Sequence, residues 1–487
     1  MLYFLKSSFY RVNKLKKHLL FLSIKEYIIK IYGLKNHECS DVSSDAIHSL
    51  IDEIEIKPID YVPGGRLDGV PSHLKEVITF LELSDEDKAS ILLNQQYDKH
   101  KISMVRSYYP NTPYNLLFVN GRLYAFGSFV SPIDVIIDLD TYSVFKINSL
   151  RFDVLSSSRL LLHRMLKSPP EYSEKNNVEK KLLVCIKDSR PAHVFFDELS
   201  GYYSLRIKLG EKIQAGFSSV ASYFEPDMIP GSIGVLDLNR EVDRLNGDYV
   251  LIRNHHRLMP TSDHGSYRPW LINCARRNYL SSVSPLKGRK VFWLGITGGE
   301  RRSWLEEKEG LSILVDFILK KYKNAYLVFD GYTGQSCFES EDAIEHIQAH
   351  LEILDYVVDK CNLHECCYTS LINCSALKKI AYASMSSFYV TLAGTPSNWI
   401  SNIARVPGVL HGNERSLKEN KLNYWEDNSL LFPVNLINEG LLNVNKRDLA
   451  KYGNKAIEKN SGFYNYSINP DDMLDIVSDM MTRVIND

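Results

Sequence analysis

The stretch from Val291 to His411 constrains the chain most, because buried-strand and amphipathic-helix patterns alternate along it without interruption. Residues 291–296 form a bulky apolar run ended by Thr297-Gly298-Gly299. A helix then reads from about Leu305, with Glu306, Glu307 and Glu309 at its start and Lys320, Lys321 and Lys323 at its end, both favourable to the helix dipole. Leu311, Leu314, Val315, Ile318, Leu319 and Tyr322 supply its buried stripe. A strand over Ala325–Asp330, a helix over about 340–361, a strand over 368–373, a helix over 375–383 and a strand over Phe388–Leu392 follow. That order requires a parallel sheet with right-handed crossovers and places ligands at the carboxyl ends of its strands.

Three of those strand ends carry polar, glycine-containing loops: Gly298-Gly299-Glu300-Arg301-Arg302, Asp330-Gly331-Tyr332-Thr333-Gly334 and Gly394-Thr395-Pro396-Ser397-Asn398. In the last, the pattern predicts Thr395 as N-cap with Pro396 at the first helical position. Trp399, Ile400, Ile403 and Ala404 would bury one face of that helix. Its first turn would offer the N–H groups of Ser397 and Asn398 to an anion, phosphate above all. An ordinary capped helix accounts for the same residues. Arg301 or Arg302 beside such a turn would clamp a diphosphate through paired donors. Trp304 and Tyr332 are candidates for stacking on a base or sugar, with core packing the competing use of Trp304.

An earlier α/β pattern begins near Lys181 with a strand over 182–186. Asp188 or Ser189 would cap a helix with Pro191 in its first turn, placing Arg190 and His193 at a sheet edge and Asp197 four residues beyond His193. That spacing suits a general base whose imidazole is oriented by the acid; a capping or core histidine is the alternative. Strands over 234–238 and 249–253 follow. Residues 255–277, rich in turn formers, His and Arg, read as an irregular linker and part of a cleft rim.

Upstream, helices are expected over 44–56 and 71–83. Asn120-Gly121 between strands over 115–119 and 122–126 marks a type I′ hairpin, and 134–138 with 143–148 a second one. Residues 1–35 alternate Lys and Arg with Phe, Leu and Ile and carry one acid, Glu26. No apolar run there reaches the ~20 residues that span a bilayer. A basic amphipathic helix lying on an anionic inner leaflet fits, as does one packed on the protein itself.

Net charge of −1 gives no support for nucleic acid as a partner. Cys361-Asn-Leu-His364-Glu-Cys366-Cys367 matches no paired zinc-ligand spacing, so the expectation is no metal and reduced, mostly buried thiols in a cytoplasmic protein.

Taken with their order, these pieces resemble the GT-B class of glycosyltransferases, two Rossmann-like halves closed by a C-terminal helix. Residues 383–398 followed by Pro407-Gly-Val-Leu-His411-Gly412 are similar to the donor-site end of bacterial surface-polysaccharide (capsule and lipopolysaccharide) transferases, and Arg190-Pro-Ala-His193-Val-Phe-Phe-Asp197 resembles a stretch in the first half of some of them. The chain lacks the paired glutamates of many retaining enzymes around Gly394, and Asp138-Leu-Asp140 reads as turn chemistry, not as a metal-binding motif. The resemblance implies an α/β fold of two Rossmann-like domains (GT-B) facing a cleft, with an N-terminal helical and β-hairpin extension. Its boundaries would be 1–110 (basic, helical), 111–180 (β-rich), 181–285 (acceptor domain), 286–465 (nucleotide-sugar domain) and 466–487 (a helix crossing back). It implies an inverting, metal-independent transfer from a nucleotide-sugar co-substrate, with no other cofactor, to a glycan or lipid-linked acceptor. His193 would be the base and Asp197 its orienting acid. Arg301, Arg302, Asp330, Gly331, Gly394, Thr395, Ser397, Asn398 and His411 would hold the donor. A polysaccharide pyruvyl transferase-like enzyme and a non-catalytic sugar- or nucleotide-binding assembly protein are the competing readings.

Overall fold

A computed structural model describes residues 56–59, 102–108, 114–119, 122–126, 135–138, 143–147, 181–187, 191–237, 249–252, 265–298, 302–335, 341–420, 429–444 and 464–485, with isolated positions at 74, 75, 77, 79, 83, 87 and 245. The basic N-terminal segment, and Gly299, Glu300 and Arg301, lie outside the described residues, as do Asp188, Ser189 and Arg190; so does the helix expected over 44–56, save Ile56, which opens a strand instead. Among the described residues no helix is long and apolar enough to cross a membrane. The chain forms two compact units.

The first unit comprises residues 1–186, 201–218 and 236–256. Strands β1 (Ile56–Ile59), β2 (Ile102–Tyr108), β3 (Tyr114–Val119), β4 (Arg122–Phe126), β5 (Val135–Asp138) and β6 (Ser143–Ile147) build one sheet in the order β1-β6-β5-β4-β3-β2. Val119 pairs with Arg122, the register that a two-residue hairpin connection sets. A second sheet pairs β7 (Lys181–Ile186) in parallel with β8 (Ile213–Phe217) on one side and, on the other, with a strand over Tyr249–Ile252. Leu182 to Ile186 are all buried, the continuous apolar run typical of a strand covered on both faces.

The second unit comprises residues 187–200, 219–235 and 257–487. With β9 (Ser232–Val235) and the Tyr249–Ile252 strand counted as β9 and β10, its main sheet consists of β11 (Lys290–Gly295), β12 (Ala325–Asp330), β13 (Tyr368–Ser370), β14 (Phe388–Leu392), β15 (Gly408–His411) and β16 (Ser429–Leu431). All five pairings are parallel, in the order β13-β12-β11-β14-β15-β16. Counted within this sheet the order is 3-2-1-4-5-6, the doubly wound arrangement whose direction reverses between the first and fourth strands. That reversal lies at the carboxyl ends of β11 and β14.

Alternate residues of the central strands, Phe292, Leu294, Leu327, Phe329 and Val390, meet the apolar stripe of α3 (Glu307–Lys321), counted after α1 (Ser200–Leu209) and α2 (Tyr267–Asn278). Ile353, Leu354 and Val357 of α4 (Glu341–Cys361) join the same core. Trp304 is sealed into it. Its indole N–H donates to the Ile468 carbonyl at 2.9 Å, and its ring lies where a Cβ on Gly310 would come within 1.9 Å. It is a packing residue. After the short helices α5 (Ala376–Ala383) and α6 (Glu414–Asn420), the antiparallel pair β17 (Asn438–Val444) and β18 (Tyr464–Ser467) leads to α7 (Pro470–Val484). That last helix packs within the second unit, burying Met473, Val477 and Met481 with α3 in the same core.

The expectation of an irregular linker over 255–277 is corrected in part: from Tyr267 the chain is helical. Tyr267, Leu271, Cys274 and Ala275 form a buried stripe at spacings of three and four, hidden in sequence among arginines and turn formers. After 413 the described residues supply α6, β16 and β17.

Candidate functional site

The carboxyl edge of the second unit's sheet is built loop by loop. After β11, the Thr297 N–H and hydroxyl and the Gly298 N–H all donate to the Glu307 carboxylate, at 2.6, 2.9 and 3.4 Å. Glu307 is buried at the start of α3, and desolvation pushes its carboxyl up to about 7 in spite of those donors. These loop donors are therefore occupied by the protein's own acid. Of the arginines proposed as the clamp, Arg302 is half-buried with φ of 65°, in the segment between β11 and α3.

His350 ties this loop to the next. Its Nδ1 accepts the Tyr332 N–H at 2.9 Å, which leaves the ring proton on Nε2, and the ring is hydrogen-bonded to the Thr297 backbone. Burial lowers its pKa to about 4, with the Lys379 and His346 charges adding to the fall, so it is neutral near pH 7. Tyr332 stacks on His346 at 5.8 Å and 13°. Asp330 does not face an open loop. It is 1% exposed and ion-paired at 2.6 Å with Lys379 of α5, itself fully buried, whose ammonium also donates to the Gly331 and Tyr332 carbonyls. Asp330 and Gly331 thus support the edge from beneath, and contact with a ligand would require this buried pair to part.

After β14 the chain departs from the expected α-helix. Gly394, with φ of 137° and ψ of −147°, is the cap in place of Thr395. Ser397 Oγ donates to the Gly394 carbonyl at 2.8 Å and accepts its N–H at 3.4 Å, which draws the cap back by one residue. Thr395–Asn398 is a 3₁₀ turn, and Trp399–Ile403 a π-helical turn. Thr395 is exposed; Ser397 and Asn398 are buried. Asn398 Oδ1 accepts from Asn402 at 3.0 Å, while its Nδ2 has no hydrogen-bond partner. His411, at the end of β15, is buried between Trp304 and Tyr466, its Nδ1 bonded to the Tyr466 hydroxyl at 2.8 Å. Burial lowers its pKa to about 3. It is a neutral core histidine here, and phosphate binding would require it to leave this packing.

Two segments from the chain's earlier half belong to this unit. Pro191–His193 makes one helical turn, Val194–Leu199 continues as a π-helical turn, and α1 follows. The Asp197 carboxylate accepts the His193 Nδ1–H at 2.6 Å, so Nε2 holds the free lone pair. The His193 side chain is 34% exposed, that of Asp197 6%. The Pro191–His193 turn packs beside the Thr395–Asn398 turn, so the half-buried His193 belongs to the edge that carries Gly394. Both flanking elements are π-helical, a rare geometry that recurs at functional sites.

The second segment, 219–228, straps the same edge. Phe224 meets Trp399 edge-on at 5.8 Å, and the Val220 carbonyl accepts from Gln335 at 2.6 Å. Glu225, in the left-handed region at φ of 49°, accepts from the Tyr279 and Ser375 hydroxyls at 2.5 and 2.6 Å. Burial, then the Glu225 bond, hold the Tyr279 phenol well above its ordinary range. Sequence reading missed His350, Lys379 and Glu225, and took Glu307 only as a helix-dipole acid. The one signal for His350 is its place in the α4 stripe with Ala343, Leu354 and Val357. Among the described residues no group of three or more His, Cys, Asp or Glu could hold a metal ion.

No protein-family model and no curated protein matches the chain. Among solved structures it is similar to a protein of Listeria monocytogenes described as a UDP-N-acetylglucosamine 2-epimerase, at 12% identity over 60% of this chain and 68% of that one, TM-score 0.26. It is also similar to the N-terminal domain of trehalose-6-phosphate phosphatase from Candida albicans, at 12% identity over 54% and 63%, TM-score 0.23. Accessory secretory protein 1, 2 and 3 of Streptococcus pneumoniae matches at 10% identity over 80% and 76%, TM-score 0.20. Likenesses at these scores carry no argument about activity, which rests on the site itself.

Proposed function

We propose that the chain is a glycosyltransferase of the GT-B type that moves a sugar from a nucleotide-sugar donor to a glycan or lipid-linked acceptor. One observation carries the reading: the half-buried His193, oriented by Asp197, sits in a turn packed beside the Gly394–Asn398 turn at the direction reversal of a doubly wound sheet. Ligands of such sheets bind at that reversal. The donor's diphosphate would lie along the Gly394–Asn398 turn, clamped by Arg301 and Arg302. The Ser397 N–H, expected to meet phosphate, instead donates to the Gly394 carbonyl at 3.2 Å, and the Gly394 N–H to Ser397 Oγ. Developing negative charge on the leaving phosphate would therefore be met by Arg302, the exposed Thr395 and the Asn398 amide. His193 Nε2 would take the proton of the acceptor hydroxyl while Asp197 holds the imidazole and steadies its positive charge. In this assignment Asp330, Gly331 and His411 are supports, and the reaction is a direct, inverting displacement. Activity in bacterial surface-polysaccharide synthesis, and contact of the basic N-terminal segment with the inner-membrane surface, belong to the same proposal.

The test has two parts. Melting the purified chain with UDP, GDP, CMP and dTDP should single out one nucleotide that raises its melting temperature, because a ligand selective for the native state stabilises it. Turnover of the matching nucleotide-sugar should fall ~10²–10⁴-fold in His193→Ala while the nucleotide still raises the melting temperature of that variant. Unchanged turnover would remove His193 from the chemistry. Consumption of phosphoenolpyruvate in place of any nucleotide-sugar would favour a pyruvyl transferase.

A further inference from the structure

We propose that Cys366 and Cys367 are a reversible dithiol–disulfide pair, a modification site for small-molecule disulfide oxidants. The two sulfurs lie 3.7 Å apart in the turn Glu365–Cys367, with Cys366 exposed and Cys367 half-buried. The turn is held from both sides. Arg289 donates through Nη1 to the Cys366 carbonyl at 3.1 Å and through Nη2 to the Ala325 carbonyl at 3.0 Å, with its guanidinium 4.6 Å above the Tyr326 ring. The Tyr326 hydroxyl donates to the Tyr368 carbonyl at 3.0 Å, and the Cys367 N–H to the His364 carbonyl at 2.8 Å. A fixed turn keeps the sulfurs together, so the entropy of bringing them together is already spent when an oxidant arrives.

The order of attack follows from exposure. The Cys366 thiolate attacks the oxidant disulfide, forms a mixed disulfide and releases one thiol. Cys367 then loses its proton to solvent and attacks the Cys366 sulfur, closing the internal bond and releasing the second thiol. Two protein thiols are oxidised by two electrons and one oxidant disulfide is reduced to two thiols. Burial and the Cys366 sulfur push the Cys367 thiol up while Arg289 pulls it down, which suits the resolving position better than the attacking one.

The product is labile by construction. Consecutive Cα atoms sit ~3.8 Å apart, short of the ~4.4 Å that ordinary disulfides require, so the ring closes under strain and is readily reduced. A bond of this kind answers to redox conditions and does not staple the fold. Because the turn opens β13, an edge strand, its formation perturbs only the rim of the sheet.

The reduced full-length chain is equilibrated in glutathione buffers of rising oxidised-to-reduced ratio, quenched in acid, alkylated and digested for peptide mass spectrometry. The peptide holding Cys366 and Cys367 should lose two hydrogens and both alkyl groups together, and regain them with dithiothreitol. Cys367→Ser should instead hold a glutathione adduct on Cys366. Phenylarsine oxide should bind the reduced wild type and neither Cys366→Ser nor Cys367→Ser. A wild type that accumulates glutathione adducts without the internal bond, that joins either sulfur to another cysteine, or that stays reduced at every ratio would overturn the proposal.

Discussion

Replacing Glu307 by Gln tests whether the first strand-end loop is held by a buried carboxyl. Its ordinary pKa of 4.5 rises to about 7 in the fold, so ionising it there costs about 3 kcal/mol more than in the unfolded chain. The folded state holds that proton more tightly, the unfolded chain binds fewer protons between those values, and stability therefore falls as pH rises from about 4.5 to about 7. Glu307→Gln carries no charge at any pH. Its amide keeps one acceptor for the Thr297 N–H and turns its NH2 toward the Thr297 hydroxyl, which can accept in place of donating. It surrenders the bond from Gly298, a loss of about 1 kcal/mol. The variant should thus be less stable than wild type by about 1 kcal/mol at pH 4.5 and more stable by about 2 kcal/mol at pH 8. Urea unfolding followed by tryptophan fluorescence is the assay, because all five tryptophans belong to the second unit. Stability curves that run parallel from pH 4.5 to 8, or a deficit that widens as pH rises, would refute the reasoning.

Other perturbations read different parts of the same unit. Lys379→Met leaves the Asp330 carboxylate buried without its ammonium and strips donors from two carbonyls; it should cost about 3–5 kcal/mol in the same urea assay. Adding Asp330→Leu should recover most of that loss, since a buried pair exchanged for apolar side chains is close to neutral. Gly310→Ala forces a methyl into the Trp304 ring and should cost about 1–3 kcal/mol with a shifted tryptophan emission.

Local signals carried much of the fold in the sequence. The strand and helix patterns from Val291 to Leu392 depend on neighbours a few residues apart, and the structure keeps their order. The pairing of His193 with Asp197 is equally local, four residues on one helical turn. What stayed hidden depends on contacts distant in sequence. Asp330 reads as a loop acid until Lys379, 49 positions later, is placed beneath it. His411 looks free until Trp304 and Tyr466 close over it. The cap moved from Thr395 to Gly394 because Ser397, three residues after the glycine, bonds both of its backbone groups. The α2 stripe was masked by the arginines and turn formers among which it lies.

Hydrogen exchange of the full chain, with and without the nucleotide singled out by melting, tests the location of the donor most directly. Bound nucleotide should slow exchange in peptides covering 393–403 and 191–199, at the meeting of the Gly394 turn with His193. Protection confined to other peptides, with these two unchanged, would contradict the account.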